Sequence, residues 1–146
     1  AVAAQISEKD TGADWTLDLT GGSTPTILSR EELLRMPQHT AVLPIACVEG
    51  WSTTQTWTGV RLRDLASLAG VANLVSAQVT SIEENGPFRQ GELQSNQVLH
   101  PDSLLALKVN GVDLSADHGY PARIIVPALP GVRNTKWVRS IEFRRV

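Results

Sequence analysis

Cys47, the single cysteine of the 146-residue chain, is the first residue whose side chain suggests chemistry. It ends an apolar stretch that begins at His39, and the polar, glycine-bent segment Glu49-Gly50-Trp51-Ser52 follows it. A single cysteine excludes an internal disulfide. Because free cysteine is among the most frequently buried residue types, position alone favours a packing role, with metal ligation and nucleophilic attack as the alternatives.

Both alternatives need partners that the sequence does not place. A cysteine hydrolase requires a histidine base, and nothing in the sequence sets His39, His100 or His118 beside Cys47. A zinc site requires a closely spaced pair of ligands, which these residues do not form. The chain also lacks a glycine-rich phosphate loop and the short motifs of zinc proteases and serine hydrolases. The role of the thiol therefore depends on its wider context.

The second group of candidate residues lies near the carboxy terminus. Arg123 begins a β-branched apolar run, so its guanidinium must find a partner or reach solvent. Gly131 lets the backbone bend, and the amides that follow it, together with Asn134, Thr135 and Lys136, are typical of an anion-binding nest. A phosphate held by Arg123 and Lys136 fits this pattern. A surface loop with ordinary salt bridges uses the same residue types, so both interpretations stay open.

Charge favours a compact anion over a nucleic acid. The chain has a net charge of −2, but residues 118–146 hold six of the 13 basic residues and a single acidic residue, Glu142. The basic residues are scattered among predicted strands and form no continuous run. Separate arginines of this kind match a phosphate better than a nucleic-acid backbone. We therefore expect the basic end of the chain to face a phosphate.

Short strands and helices must position these residues. With 42% hydrophobic residues the chain can form one globular domain over residues 1–146, and no apolar run approaches the roughly 20 residues of a membrane span. A capping box, Ser29-Arg-Glu-Glu32, predicts a helix that ends before Pro37, and residues 61–69 predict a second helix with Gly70 after its end. Asn110-Gly111 predicts a hairpin. Strands are predicted over Trp15–Thr20, His39–Cys47, Ala77–Ile82, Phe88–Leu93, Arg123–Pro127 and Trp137–Phe143.

This count of some seven or eight short strands and two or three short helices predicts an α+β fold. Strands and helices do not alternate regularly along the sequence, so we expect mixed or antiparallel β-sheets rather than a parallel sheet.

Tryptophans Trp51, Trp57 and Trp137 are expected to fill the core, since tryptophan does so more often than it stacks on a ligand.

Taken in order, four segments resemble the molybdopterin-binding domain of the sulfite oxidase and bacterial sulfoxide reductase superfamily. They are Cys47-Val-Glu-Gly-Trp-Ser52, Trp57-Thr-Gly-Val-Arg-Leu62, His100-Pro-Asp-Ser-Leu-Leu-Ala106 and His118-Gly-Tyr-Pro-Ala-Arg-Ile-Ile-Val-Pro127, continuing to Lys136-Trp137. Their order and spacing cover about residue 15 to residue 143. The resemblance implies the sulfite-oxidase-type fold and a two-electron oxidoreductase that transfers an oxygen atom at molybdenum.

The resemblance also implies a role for each matched residue. Cys47 is implied to be the catalytic thiolate that ligates molybdenum, and thiolates suit soft, redox-active metals. His118 corresponds to a position that contacts the pterin. Arg123 and the stretch Asn134, Thr135 and Lys136 correspond to phosphate-binding positions, and Ser81 falls near a Ser or Thr that touches the cofactor. The implied cofactor is molybdenum-molybdopterin without a nucleotide.

One departure from the family pattern concerns the substrate. True sulfite oxidases and plant nitrate reductases follow the ligand cysteine with an Ala-Gly-Asn-Arg-Arg pattern, whereas this chain has Val48-Glu49-Gly50-Trp51. A carboxylate at an anion site repels an anionic substrate such as sulfite. We therefore expect a protein closer to the bacterial sulfoxide reductases than to the sulfite oxidases.

The length and the amino terminus suggest a domain of a longer protein. Ala1 is neither a starting Met nor the beginning of a signal pattern, which indicates an excised, periplasmic or otherwise extracytoplasmic domain whose parent chain is membrane-anchored or soluble. The resemblance implies a small-molecule substrate and a haem-bearing or quinone-linked electron-transfer partner. Two alternatives remain, a binding module that keeps the fold without the cofactor and a fragment too short to hold it.

Overall fold

Two five-stranded β-sheets and three short helices form the fold of the residues that the computed structural model describes, 14–46, 52–128 and 134–146. The helices are α1 (Arg30–Arg35), α2 (Leu62–Leu68) and α3 (Ser95–Val98). The strands are β1 (Thr16–Thr20), β2 (Thr26–Ser29), β3 (His39–Ala46), β4 (Ser52–Arg61), β5 (Leu74–Ser81), β6 (Gln90–Gln94), β7 (Leu104–Val109), β8 (Val112–Asp113), β9 (Arg123–Ile125) and β10 (Val138–Arg145).

Strand pairing confirms the predicted α+β fold with mixed and antiparallel sheets. The first sheet has the order β2-β1-β10-β5-β6, in which β1 and β10 are parallel and the other neighbours are antiparallel. The second sheet has the order β3-β4-β7-β8, with β9 also paired to β7, and all of its pairs are antiparallel. None of the described residues forms a helix long and apolar enough to cross a membrane.

Side-chain alternation in the second sheet creates two hydrophobic clusters. In β7, Leu105 and Leu107 join the main core, which also takes side chains from the first sheet and the helices. Leu104 and Ala106 point the other way, into a smaller cluster with Trp57 and Ile125. Because successive residues of a strand face opposite sides, the continuous apolar run of β7 indicates a strand buried on both faces. The smaller cluster lies next to the candidate site.

Local sequence signals for the helix ends and turns are confirmed. Ser29 and Glu32 form the predicted reciprocal capping box, and the hydrogen bonds from Ser29 hold the pKa of Glu32 below its usual value. Gly70 follows α2 with φ of 72°, a left-handed conformation that glycine adopts without strain. Asn110 and Gly111 both have positive φ and join β7 to β8 with Val109 opposite Val112.

Several predicted boundaries are wrong, and three elements are missed. The strand predicted from Phe88 begins at Gln90, since Phe88 lies in the preceding turn and is half exposed. The strand predicted from Trp137 begins at Val138, because Trp137 has a φ of 52°. The missed elements are β2, β4 and α3. Strand β4 is rich in threonine rather than apolar residues, so hydrophobic alternation does not reveal it.

Candidate functional site

Two segments meet at one edge of the second sheet and form the candidate site. The first joins β8 to β9, where the Ser115 carbonyl accepts backbone hydrogen bonds from His118, Gly119 and Tyr120. The second, residues 134–137, leads into β10. The indole Nε1 of Trp137 donates to the Ala116 carbonyl over 2.7 Å and fastens the two segments together.

Gly119 allows the two segments to approach closely. Its φ is +113°, a backbone conformation that side chains disfavour. A Cβ at this position would lie 3.0 Å from the Cβ of Arg123 and 3.2 Å from the Cβ of Lys136. The glycine therefore lets Arg123 and Lys136 pack against the same stretch of backbone, which brings the two predicted phosphate-binding side chains together.

Arg123 is a buried cation held by neutral groups. Its side chain is 3% exposed and donates from Nη1 to the His118 carbonyl over 3.2 Å, and from Nη2 to the Asn134 carbonyl over 3.4 Å. Within the described ranges no carboxylate forms an ion pair with it. The guanidinium carbon instead lies 5.2 Å from the centre of the Trp57 ring. The predicted alternatives for this side chain were a partner or an exit to solvent, and the structure shows carbonyl and aromatic partners.

Burial lowers the pKa of Arg123 to about 10, because removal from water penalises the charged form. At neutral pH the group is still a cation, although a costly one. A buried cation without a negative partner attracts anions strongly, since little solvent screens it. The site is therefore suited chemically to bind a compact anion such as a phosphate group.

The remaining residues of the second segment are mostly structural. Lys136 is half-buried, donates from Nζ to the Asp117 carbonyl over 3.0 Å, and lies 5.7 Å from the ring of Trp137. Asn134 is buried, and its Oδ1 accepts a hydrogen bond from the backbone of Val126 over 2.7 Å. The carbonyl of buried Thr135 accepts from the backbone of Ile124 over 2.8 Å. These bonds fix the segment against β9.

Ser81 reaches the same region through strand pairing rather than through a side-chain contact with Arg123. It is the last residue of β5 and pairs with Val138, two residues after Lys136. Its buried hydroxyl accepts a hydrogen bond from the backbone of Glu83 over 3.0 Å. The side chain lines a cleft of about 430 Å³ whose walls carry charges of both signs, from Asp14, Glu83, Glu84, Arg89 and Arg139.

The structure thus joins His118, Arg123, Asn134, Thr135 and Lys136 in one contact network. His118 contributes its carbonyl, and its side chain is exposed to solvent. Cys47 and Gly131 lie outside the described residues. In the sequence, Cys47 directly follows β3.

Sequence reasoning missed the contribution of two residues. Trp57 was expected to fill the core, and it is indeed 3% exposed, but its ring also contacts the Arg123 guanidinium. Gly119 lies in the segment from His118 to Pro127 that resembles the family, but no role was assigned to it. The glycine after His118 was the available signal for a close approach of backbones, whereas no sequence signal pairs Trp57 with Arg123.

The basic residues of the carboxy-terminal end do not all lie at the candidate site. Arg144 and Arg145 lie at the far end of β10 from Lys136, a strand of eight residues and therefore roughly 25 Å long. Arg144 donates to Gln78 and lies 3.6 Å from Glu142. In the described part of the chain, only Arg123 and Lys136 among these basic residues belong to the candidate site.

A separate polar cluster joins the start of β3 to the end of β4. Arg61 donates to Nδ1 of His39 over 2.9 Å, and Nε2 of His39 lies 2.8 Å from Oδ1 of Asp102. His39 thereby ties β3 to the segment before β7. Within the described ranges no group of three metal-ligating side chains occurs.

Comparisons with known proteins find related sequences and a similar solved structure. The model of the oxidoreductase molybdopterin binding domain matches residues 3–146. The uncharacterized oxidoreductase YuiH of Bacillus subtilis is 34% identical over 133 residues, and the protein-methionine-sulfoxide reductase catalytic subunit MsrP of Campylobacter jejuni is 25% identical over 158 residues. The crystal structure of the sulfane dehydrogenase SoxCD from Paracoccus pantotrophus superimposes with a TM-score of 0.82 at 26% identity.

These matches cover nearly all of the chain but only part of each relative. The chain is covered to 90% by YuiH, 98% by MsrP and 90% by the SoxCD structure. It spans 66%, 53% and 38% of those proteins, respectively. The chain therefore corresponds to a domain-sized portion of longer relatives.

Proposed function

Because this chain belongs to the oxidoreductase molybdopterin-binding domain family, we propose that Arg123 and Lys136 hold the phosphate of its molybdenum-molybdopterin cofactor and that Cys47 ligates the metal. The cofactor follows from the family, whose members here include an oxidoreductase and a methionine-sulfoxide reductase. The assignment of individual residues is the proposal.

One observation carries the phosphate site. Arg123 is buried, charged and surrounded by carbonyl groups and an aromatic ring, with no carboxylate paired to it in the described part of the chain. Such a cation is unfavourable unless an anion joins it. The terminal phosphate of the pterin cofactor has the negative charge and the acceptor oxygens that the guanidinium requires.

The neighbouring residues have supporting roles in this proposal. Lys136 supplies a second cation from the adjacent segment, and its side chain packs against Gly119. Asn134 and Thr135 fix the backbone around the phosphate, while the exposed imidazole of His118 contacts the pterin. Ser81 lines the adjoining cleft, and its hydroxyl proton can be donated because the bond from Glu83 uses only an acceptor position.

Cys47 is proposed to be the catalytic metal ligand because a thiolate is a suitable donor for a soft, redox-active centre. Metal coordination holds a thiol deprotonated. When bound, the molybdenum centre supplies two-electron redox chemistry with transfer of an oxygen atom. The protein supplies the binding, the orientation and the electrostatic environment.

We further propose that the chain is closer in activity to the bacterial sulfoxide reductases than to the sulfite oxidases. The chain has Glu49 where the sulfite oxidases have a pattern that ends in arginines. A comparison of turnover with a sulfoxide and with sulfite tests this proposal, and preference for sulfite would overturn it.

The remaining parts of the proposal concern the parent protein. Residues 1–146 are proposed to be a single extracytoplasmic domain that receives a small-molecule substrate and exchanges electrons with a separate haem-bearing or quinone-linked partner. The sequence contains no haem-attachment motif, which supports an external electron partner. Cell fractionation with an antibody to the chain would locate the protein, and recovery in the cytosol would contradict the extracytoplasmic assignment.

Metal and pterin analysis test the function directly. We expect the protein purified from a host that makes molybdenum cofactor to contain molybdenum and to release a fluorescent oxidised pterin on denaturation. Cys47→Ser should remove one sulfur from the molybdenum coordination shell, as measured by X-ray absorption. An unchanged coordination shell would exclude Cys47 as a ligand. A folded protein without molybdenum or pterin would instead favour the cofactor-free binding module.

A further inference from the structure

The Arg123 guanidinium has an aromatic partner where buried arginines usually have an acid. Its central carbon lies 5.2 Å from the centre of the Trp57 ring, within the distance at which cations are attracted to aromatic faces. Both side chains are 3% exposed. Little water therefore weakens this contact, and cation–π attraction is largest in such a desolvated setting.

The two residues come together through the second sheet. Trp57 lies in β4 opposite Ala41 and Val109, and Arg123 begins β9 opposite Ala106 of β7. The Trp57 ring belongs to the smaller hydrophobic cluster, which also contains Ile125, two residues after Arg123. Residues two apart in a strand face the same side, so Arg123 emerges on the face that Trp57 covers.

The contact uses the face of the indole and not its polar edge. The Nε1 of Trp57 is buried and has no hydrogen-bond partner among the described residues. An aromatic face attracts a cation but accepts no strong hydrogen bond from it and does not cancel its charge. A carboxylate at the same place would do both. Trp57 therefore fixes the guanidinium while leaving its charge available to an anion.

We propose that Trp57 is a positioning residue that holds the Arg123 guanidinium against its ring face, so that a phosphate-bearing ligand meets a buried cation that no carboxylate of the described residues neutralises. This inference rests on the proposed function, in which that ligand is the pterin cofactor. It assigns to Trp57 a role in ligand affinity that a tryptophan serving only to fill the core would not have.

Fluorinated tryptophan at position 57 tests the proposal without disturbing the packing. Each fluorine weakens the negative potential of the ring face while the ring keeps its shape and its N–H group. We expect the rate of pterin release from the protein to rise with each added fluorine, reaching about tenfold when most of the cation–π attraction is lost. An unchanged rate across the series would overturn the proposal.

Ordinary substitutions provide a second comparison. Trp57→Phe keeps an aromatic face and also removes the unpartnered N–H, so pterin release should stay within about threefold of the parent protein. Trp57→Leu should accelerate release about tenfold. Phe143→Leu is the matched control, since Phe143 is a fully buried aromatic residue in the main core and not in the cluster of Trp57. It should lower stability and leave release unchanged.

Two further measurements separate failure of this inference from failure of the proposed function. In an Arg123→Met background, Trp57→Leu should cause no further acceleration of release, because the cation on which Trp57 acts is gone. Inorganic phosphate should raise the Tm of the cofactor-free parent but not of Trp57→Leu. A parent protein that carries no pterin yet shows this phosphate effect contradicts only the proposed function. Equal release and equal phosphate effects in parent and Trp57→Leu contradict only the role of Trp57.

Discussion

At the scale of single residues, Arg123 is a buried cation whose charge is costly to the fold. The lowering of its pKa to about 10 corresponds to a penalty on the order of 3 kcal/mol for keeping the charge in the fold at neutral pH. Two of its hydrogen bonds, to the carbonyls of Ile124 and Asn134, are long at 3.4 Å and recover only part of this cost. The cost that remains supports the anion-binding role proposed for Arg123.

We therefore predict that Arg123→Met separates stability from ligand binding. The free energy of unfolding of the cofactor-free protein should be unchanged or higher, because the desolvated charge is removed and an apolar side chain of similar length remains. Pterin content should fall, and the pterin that remains should be released faster than from the parent protein. Chemical denaturation and pterin fluorescence measure the two effects, and a loss of more than about 3 kcal/mol would indicate that Arg123 stabilises the fold.

The difference in unfolding free energy between Arg123→Met and the parent protein should also depend on pH. The pKa of Arg123 is lower in the folded state than in the unfolded state. As the pH rises past 10, the folded protein loses this proton first and the unfolded protein keeps it. The penalty for burying the charge therefore declines above pH 10. The difference in unfolding free energy between Arg123→Met and the parent should narrow above pH 10. Denaturation at pH 8 and pH 11 measures it, and a constant difference would contradict the assigned burial penalty.

Gly119→Ala should damage the site through geometry. The added Cβ would lie 3.0 Å from the Cβ of Arg123, and the φ of +113° is strained for alanine. We expect a loss of about 1–3 kcal/mol in the free energy of unfolding and a lower pterin content. Gly111→Ala is a matched control, since it also has positive φ but nothing within 4 Å of its Cβ. Equal pterin content in the two variants would show that close packing at Gly119 is unimportant.

At the scale of elements, α1 connects the first sheet to the segment that carries the site. Arg30, the first residue of α1, forms an ion pair of 2.8 Å with Asp113 of β8, and its guanidinium lies 5.3 Å from the ring centre of Tyr120. Tyr120 is followed by the cis peptide bond to Pro121 and lies between Gly119 and Arg123. A short helix of six residues thus contacts the segment that carries the site.

Arg30→Ala should therefore reduce the free energy of unfolding by about 1–2 kcal/mol through the loss of the ion pair and the aromatic contact. Arg35→Ala, in the same helix, is the control. Its side chain is 73% exposed and 3.6 Å from Glu31, so we expect a change below about 0.5 kcal/mol. Urea denaturation measures the stability of both variants. Equal effects would show that the contacts of Arg30 with Asp113 and Tyr120 do not stabilise the fold.

At the scale of the whole molecule, the basic residues near the carboxy terminus lie in different parts of the structure. Arg123 and Lys136 meet at the candidate site, whereas Arg144 and Arg145 lie at the opposite end of β10. Solvent and salt screen exposed charges beyond about 10 Å, so the distant pair adds little to the potential at the site.

Arg144→Ala and Arg145→Ala should therefore leave pterin content unchanged, while Lys136→Ala should lower it. Pterin per folded protein, measured by fluorescence after denaturation, tests this difference. Equal losses in all three variants would indicate that the tail acts through its total charge and not through a defined site.

The sequence by itself determined the α+β class, the capping box at Ser29, the hairpin at Asn110 and the carboxy-terminal set of candidate residues. These features depend on local conformational preference and on order along the chain, which neighbouring residues specify. Strand β4, by contrast, lacks the hydrophobic alternation that local patterns detect, and its tertiary neighbours stabilise it.

Only the tertiary structure decided which residues share the site. Trp57 and Arg123 are 66 positions apart and meet because β4 and β9 both pair with β7, while Arg144 is close to Arg123 in sequence and distant in space. Sheet pairing and side-chain alternation fix these positions, and they depend on contacts between residues far apart in the chain. The burial of the Arg123 cation is likewise a property of the packed molecule, since the residues adjacent in sequence do not by themselves create it.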